Sequence, residues 1–352
     1  MLQLFNKNNK DTEHISFIST DSNKLIDIKI PWIEKYRPKN LNDILLESFI
    51  KKKIEKILEN QFIPNLIITG EPSTGKTSTI LFLAKELYGN SYNDNVLELN
   101  ASDDRGLSVI NNIIYPFCKK KNTSHQSKLI VLDEADSITS KAQNLLSILI
   151  SEFQKTITIV FICNDCSQII ESIQSKCMII KYPKISYINL YQKVEYICKN
   201  ENIKYNKKGI TLLLFISNND IRQIINNLEC IYYSYGKLYE DIIYKLFDKP
   251  KLYYIIDILI KCYEADYIGS INIIKNLYTK GYTANDILLT TMNYLFENNI
   301  ENIELPKLTE KNKLAIYEIL SESYIKVNDG LDTLVQLCGC ISSIYIYIQS
   351  IN

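Results

Sequence analysis

Between Leu66 and Lys181 the chain alternates short, unbroken apolar runs with longer stretches in which apolar residues recur every three or four positions. The runs are Leu66–Thr69, Val96–Leu99, Leu129–Leu132, Ile157–Cys163 and Cys177–Tyr182. They are short and lack a polar face, which is the pattern of strands buried on both sides. Positions such as Ile80, Leu81, Ala84 and Leu87, or Leu145, Leu146, Leu149 and Phe153, instead line one side of a helix. Strands of this kind joined by helical crossovers predict a five-stranded parallel sheet covered on both faces. Pro183 closes the pattern. From 184 to 249 the period is helical, which predicts a small helical lid. Asp248-Lys249-Pro250 then breaks the chain, and 250–352 reads as an all-α domain punctuated at Gly281, Pro306 and Gly330. Residues 1–29 are polar and mixed in charge, and read as a poorly ordered extension ahead of a core at 30–183.

Composition narrows the function classes. At 352 residues two or three domains are expected. Lys plus Arg and Asp plus Glu each number 40, which excludes a protein that coats nucleic acid through net charge and leaves room only for a local basic face. Nine scattered cysteines suit a reducing, intracellular compartment. The pairs Cys163/Cys166 and Cys338/Cys340 have no second Cys/His pair at zinc spacing, so they read as packed thiols. The first 30 residues lack the apolar core of a secretory signal. Leu334–Asn352 carries no charge, but Gln336, Ser342, Ser343, Gln349 and Ser350 dilute it, so a buried terminal helix is expected rather than a membrane contact. The skew towards Ile, Asn, Lys and Tyr points to an AT-rich genome, viral or other. Only three of the 40 basic residues are arginine: Arg37, Arg105 and Arg222.

Candidate chemistry sits at the ends of the predicted strands. Gly70-Glu71-Pro72-Ser73-Thr74-Gly75-Lys76-Thr77 fits G-x-x-x-x-G-K-[ST] between an apolar strand and an amphipathic helix that continues through Ser78. The glycines let the backbone wrap phosphate, and the helix N-terminus faces the anion. Lys76 is expected to reach the β- and γ-phosphates of ATP, and the Thr77 hydroxyl to hold Mg²⁺. A second strand delivers Asp133 and Glu134 at its C-terminal end, where ligands bind in open parallel sheets. Asp133 is the expected Mg²⁺ partner and Glu134 the general base for water. Asn164 ends a third strand. On the residues alone it reads equally as a water-orienting amide or as a strand-end turn residue.

These blocks, in this order, resemble the AAA+ ATPases, and in closer detail the replication factor C small subunits that load sliding clamps. Pro31-Trp32-Ile33-Glu34-Lys35-Tyr36-Arg37-Pro38 is similar to that family's opening motif, and Leu99-Asn100-Ala101-Ser102-Asp103-Asp104-Arg105-Gly106 to its block after the second strand. The resemblance implies an α/β AAA+ P-loop core, a helical lid and an all-α C-terminal collar. It places Tyr36 and Arg37 beside the adenine, makes Asn164 the first sensor, and makes Arg222 the lid arginine facing the γ-phosphate. The family's Ser-Arg-Cys motif, whose arginine reaches a neighbour's ATP, is Ser175-Lys176-Cys177 here. Lysine keeps the charge without the planar fork, so Lys176, at the trans-acting finger position, is expected to support ATP binding across the interface but only slow hydrolysis.

The implied partners are other loader subunits in a hetero-oligomer, commonly a pentamer, a PCNA-like sliding clamp, and primer–template DNA at a nuclear or other replication site. Arg105 and Lys141 are the implied phosphate contacts. Asn111 and Ser147 stand where the family commonly has basic residues, and Lys119-Lys120-Lys121 reads rather as a solvated loop. The apolar end of the following helix, through Ile113, Ile114, Tyr115 and Phe117, is the implied clamp contact. Two alternatives stay open: an ATP-binding scaffold subunit with weak turnover, and another AAA+ DNA remodeller such as a branch-migration helicase.

Overall fold

A computed structural model describes residues 30–38, 40–101, 107–120, 127–296 and 309–351. The chain divides into two compact units. The first comprises the residues up to Leu190 together with Asn219–Glu229; the second comprises Tyr191–Asn218 and Cys230 onward. The 184–249 stretch expected as a lid therefore contributes residues to both.

The first unit is built on five parallel strands: β1 (Leu66–Gly70), β2 (Val96–Asn100), β3 (Lys128–Asp133), β4 (Ile157–Cys163) and β5 (Met178–Tyr182). Each lies within one residue of the apolar run that predicted it. Their order in the sheet is β2-β3-β4-β1-β5. Period-two alternation divides the side chains between two cores. Leu66, Ile68, Val131, Val160 and Ile162 pack with helix α1 (Ser48–Glu59) and helix α2 (Lys76–Tyr88). Ile67, Ile130, Leu132, Ile159 and Phe161 pack on the other face with helix α3 (Ser140–Glu152) and the helical run of residues 107–119. Helix α4 (Ile221–Ser234) begins in this unit. The inner strands β1 and β4 are buried along their whole length, as strands covered on both faces must be.

The 107–119 run departs from a regular helix. Its middle, Ile110–Ile114, forms π-type turns, and the Tyr115 N–H reaches back to the Ile110 carbonyl. Pro116 follows immediately. Proline lacks an N–H and its ring collides with the carbonyl four residues back, so a widened turn just before it relieves the conflict.

Among its described residues the second unit is helical apart from one short parallel pair, Lys204–Tyr205 with Lys237–Leu238, which the helical period had not announced. Its longer helices include Leu252–Tyr263, Tyr267–Thr279, Ala284–Phe296, Glu310–Asn328 and Leu334–Ile351. The last is less buried than its uncharged sequence suggested. Leu337, Cys340, Ile341, Ile344 and Ile348 form one buried stripe, while Val335 is 80% and Ile346 67% exposed. By length and composition alone it is apolar enough to cross a membrane, with mean hydropathy 1.5. The buried stripe, and the Gln349 amide bonded to the Cys262 carbonyl at 2.9 Å, account for one face as packing within a helical bundle.

Gly70 marks where the sheet hands over to the candidate site. Its φ is +154°, and an added Cβ would lie 2.5 Å from the Tyr182 carbonyl oxygen on neighbouring β5. Neither backbone can yield without breaking the β1–β5 ladder. Gly70→Ala is therefore expected to lower the unfolding free energy by about 1–3 kcal/mol in urea titrations. An unchanged midpoint would show that the ladder has slack at this position.

Candidate active site

The loop from Gly70 to Thr77 connects β1 to α2. Ser73 (φ 64°) and Gly75 (φ 88°) both adopt left-handed backbone. Such turns aim successive N–H groups into a concavity that suits an anion. Thr74 Oγ1 donates to the Glu71 carbonyl at 2.9 Å and steadies the loop. Helix α2 begins at Lys76, and its N-cap, Gly75, has no side chain with which to cap the first N–H groups. Glu71 is additionally paired with Lys184 at 3.0 Å, on the exposed side of the loop. Pro72 is exposed, and Ser78 lies in the first turn of α2.

Lys76 is buried at 7% exposure. Its ammonium donates to the Gly70 carbonyl (2.6 Å), the Glu71 carbonyl (2.7 Å) and Asn164 Oδ1 (3.0 Å). Burial pushes its pKa below the ordinary lysine value, opposed by the Asp133 and Asp136 carboxylates. Arg222 adds to the depression, so its guanidinium lies within electrostatic reach of Lys76.

Thr77 Oγ1 donates to Asp133 Oδ2 at 2.8 Å, which joins the loop to the end of β3. The other oxygen, Asp133 Oδ1, accepts the Glu134 N–H at 2.9 Å. Glu134 adopts left-handed backbone (φ 53°), and its carbonyl is held by the Ser137 N–H (2.9 Å) and Ser137 Oγ (2.8 Å). A non-glycine residue in that region costs on the order of 1 kcal/mol or more, and such strain concentrates at functional sites. The Glu134 side chain is exposed.

Asn164 completes the cluster. Its backbone N–H donates to Asp136 Oδ2 (3.0 Å), and its carbonyl accepts Thr69 Oγ1 (3.1 Å). Neither Asp136 nor Thr69 was singled out from sequence. The D-E-x-D spacing of Asp133 and Asp136 was the only signal for Asp136, and it did not say what the second carboxylate binds.

The remaining candidates lie at different distances from this centre. Arg222 stands exposed in the first turn of α4, where its N–H is capped by Asp220 Oδ1 at 2.8 Å. Two helical turns along α4, Glu229 Oε2 accepts the Trp32 N–H at 3.1 Å and tethers the Trp32–Arg37 segment to the arginine's helix. Tyr36 meets the Trp32 ring edge-on at 6.0 Å, and Arg37 pairs with Glu34 at 3.2 Å. Lys176 is tied within its own chain, donating to the Ser147 carbonyl (2.8 Å), Ser147 Oγ (2.9 Å) and Ser151 Oγ (2.7 Å) of α3. Lys141 is exposed at the start of α3. Of the expected clamp contact, Ile113 is 39% exposed while Ile114 is core at 2%. Arg105, with the rest of its block from Ser102 to Gly106, lies outside the described residues, as do Lys121 and the 1–29 extension.

Among the described residues no cluster of three His, Cys, Asp or Glu side chains is spaced to hold a metal. The Thr77–Asp133 oxygen pair instead suits Mg²⁺, which takes one or two protein ligands and completes its shell with phosphate and water.

Comparison with known proteins gives a consistent result. Residues 66–183 match the model of the ATPase family associated with various cellular activities (AAA), and residues 250–343 that of the replication factor C C-terminal domain. A putative replication factor C small subunit of Acanthamoeba polyphaga mimivirus is 37% identical over 320 residues, covering 91% of this chain and 98% of that protein. Replication factor C subunit 4 of Saccharomyces cerevisiae is 33% identical, over 92% of this chain and 98% of its own length. The replication factor C small subunit of Methanococcus vannielii is 31% identical, over 89% and 97%. Among solved structures, the RuvB Holliday junction branch migration motor of Thermotoga maritima aligns with a TM-score of 0.51 at 16% identity, covering 65% of this chain and 80% of that one, a likeness of fold.

Lys76→Met removes the only ammonium within the loop while preserving bulk. Binding of a fluorescent ATP analogue by the full chain is expected to weaken by roughly tenfold or more, the scale of one lost charge-assisted contact. Undiminished affinity would mean that the loop amides alone hold the triphosphate.

Proposed function

Because the chain belongs to the replication factor C small subunits, the AAA+ clamp-loader ATPases of DNA replication, we propose that it binds MgATP across β1, β3 and β4 and couples its hydrolysis to loading a sliding clamp on primer–template DNA. The observation that carries this reading is the 2.8 Å hydrogen bond from the Thr77 hydroxyl to Asp133, which brings the phosphate loop and the acidic strand end together. Family membership makes the chain a nucleotide-binding ATPase and one subunit of a multi-subunit loader. The residue roles, the clamp, the DNA and an intracellular replication site are our proposal.

In this reading the 70–77 loop amides and the uncapped start of α2 cradle the phosphates. Lys76 exchanges the carbonyl oxygens it now holds for phosphate oxygens of similar hardness, so little reorganisation is needed. Thr77 and Asp133 would hold Mg²⁺, which when bound neutralises and orients the phosphate oxygens. Glu134 accepts the proton of the attacking water. Asn164 and Arg222 approach the γ-phosphate as donors, and Arg222 offers a planar fork that stays charged. Tyr36 and Arg37 flank the adenine, and the Trp32–Glu229 hydrogen bond supports a mechanical tie between that end and the Arg222 helix. Phosphate contacts from Lys141 and Arg105 would follow the DNA backbone and weaken with salt.

Lys176 supports a subsidiary reading in which turnover is slow. A trans-acting cation must leave its own chain, and this one makes three hydrogen bonds to Ser147 and Ser151.

Two substitutions divide these readings. Glu134→Gln is expected to keep ATP binding and to lower turnover by about 10²-fold or more, the usual contribution of a general base. Retained turnover would remove Glu134 from the chemistry. Lys176→Arg, assayed in the assembled loader with clamp and primed DNA, is expected to raise the ATPase rate. An unchanged rate would show that the lysine does not limit hydrolysis.

A further inference from the structure

Asn164 is fixed from three directions by three different elements. Asp136, in the turn after β3, accepts its backbone N–H at 3.0 Å. Thr69, at the end of β1, donates to its carbonyl at 3.1 Å. Lys76, at the start of α2, donates to its side-chain Oδ1 at 3.0 Å. Both peptide planes flanking Asn164 are thereby pinned, and so is the acceptor end of its carboxamide. The donor end, the NH₂, makes no hydrogen bond among the described residues. A carboxamide whose oxygen is committed to the phosphate-loop lysine presents its nitrogen to whatever that lysine also binds, and a terminal phosphate is an acceptor that fits.

Asp136 is the least expected of the three holders. It stands in the Ala135–Ser137 turn, its charge also acts on the buried Lys76, and its bond to Asn164 lies on the exposed side of the unit. A carboxylate there is not needed to fill the core. What it does is join the turn carrying Asp133 and Glu134 to the strand end carrying Asn164. We propose that Asp136 is a positioning residue for γ-phosphate recognition: by holding the Asn164 backbone it aims the Asn164 carboxamide NH₂, so that the site distinguishes ATP from ADP. This inference rests on the proposed role of Asn164.

The test measures affinities of the full chain for ADP and for a non-hydrolysed ATP analogue, and uses their ratio as the readout. Asn164→Ala is expected to reduce the preference for the triphosphate by roughly tenfold, the scale of one hydrogen bond to a charged group. Asp136→Ala should reduce it comparably with ADP affinity kept within about twofold, and the double variant should be no worse than Asn164→Ala alone, because residues acting as one unit are not additive. Asp136→Asn, which retains an acceptor for the same N–H, should restore most of the preference. Three results would overturn the proposal. If Asp136→Ala keeps the ratio while Asn164→Ala lowers it, Asn164 senses the phosphate without this support. If Asp136→Ala weakens both nucleotides equally, Asp136 is merely structural. If Asn164→Ala leaves the ratio unchanged, the role of Asn164 itself fails, and this inference with it.

Discussion

The position of β4 between β1 and β3 is the constraint from which the site follows. Neighbouring strands lie about 4.8 Å apart, so residues that leave their C-terminal ends emerge within hydrogen-bonding range of one another. The loop leaves β1, the two carboxylates leave β3, and Asn164 leaves the strand between them. It is therefore Asn164 that touches both neighbours, through Thr69 on one side and Asp136 on the other. Parallel pairing of β1 with β4 and of β3 with β4 locks this register through Leu66↔Val160 and Val131↔Val160. The fully buried Phe161, Ile159 and Ile67 beneath them make a slip costly, because a one-residue shift would turn each toward the opposite face.

On that rigid base the chain sustains several unfavourable local features. A buried lysine and left-handed backbone at Ser73 and Glu134 each cost stability. They share one outcome, an arrangement shaped before any ligand arrives. The ammonium of Lys76 is surrounded by oxygens that resemble those of phosphate, the loop is already turned inward, and Asp133 is already oriented through both of its oxygens. Electrostatic stabilisation works best when dipoles need not rotate during reaction. Left-handed non-glycine backbone also occurs away from the site, as at Gln61 and Asn202, but Ser73 and Glu134 place two such residues on the strand ends that carry the candidate chemistry, above the two apolar cores of the sheet.

Much of this was legible from the chain itself. All five strands, the loop, the Asp133–Glu134 pair and Asn164 could be found because each is a local pattern: an apolar run, or a run followed by particular polar residues. Strand order was not legible, and what depended on it stayed hidden. Asp136 binds a backbone N–H 28 positions away, and Thr69 a carbonyl 95 positions away. No spacing rule reports such pairs, because a backbone partner carries no side-chain identity. The Trp32–Glu229 bond, 197 positions apart, was hidden for the same reason. The terminal helix shows the opposite case, in which a visible pattern was over-read: absence of charge signalled burial, yet only one stripe is covered and Val335 and Ile346 face outward.

Lysine at 176 raises a question of economy in a chain with so few arginines. Arg222 stands in the first turn of α4, close enough to affect Lys76, and Arg37 pairs with Glu34. The third guanidinium lies outside the described residues. A planar fork suits a fixed acceptor pair, whereas an ammonium on a flexible stem adapts to whatever oxygens are near. At position 176 the stem has found three oxygens on α3, two of them from Ser147, where the resemblance led one to expect a basic residue. A basic side chain at 147 would repel Lys176; a serine receives it.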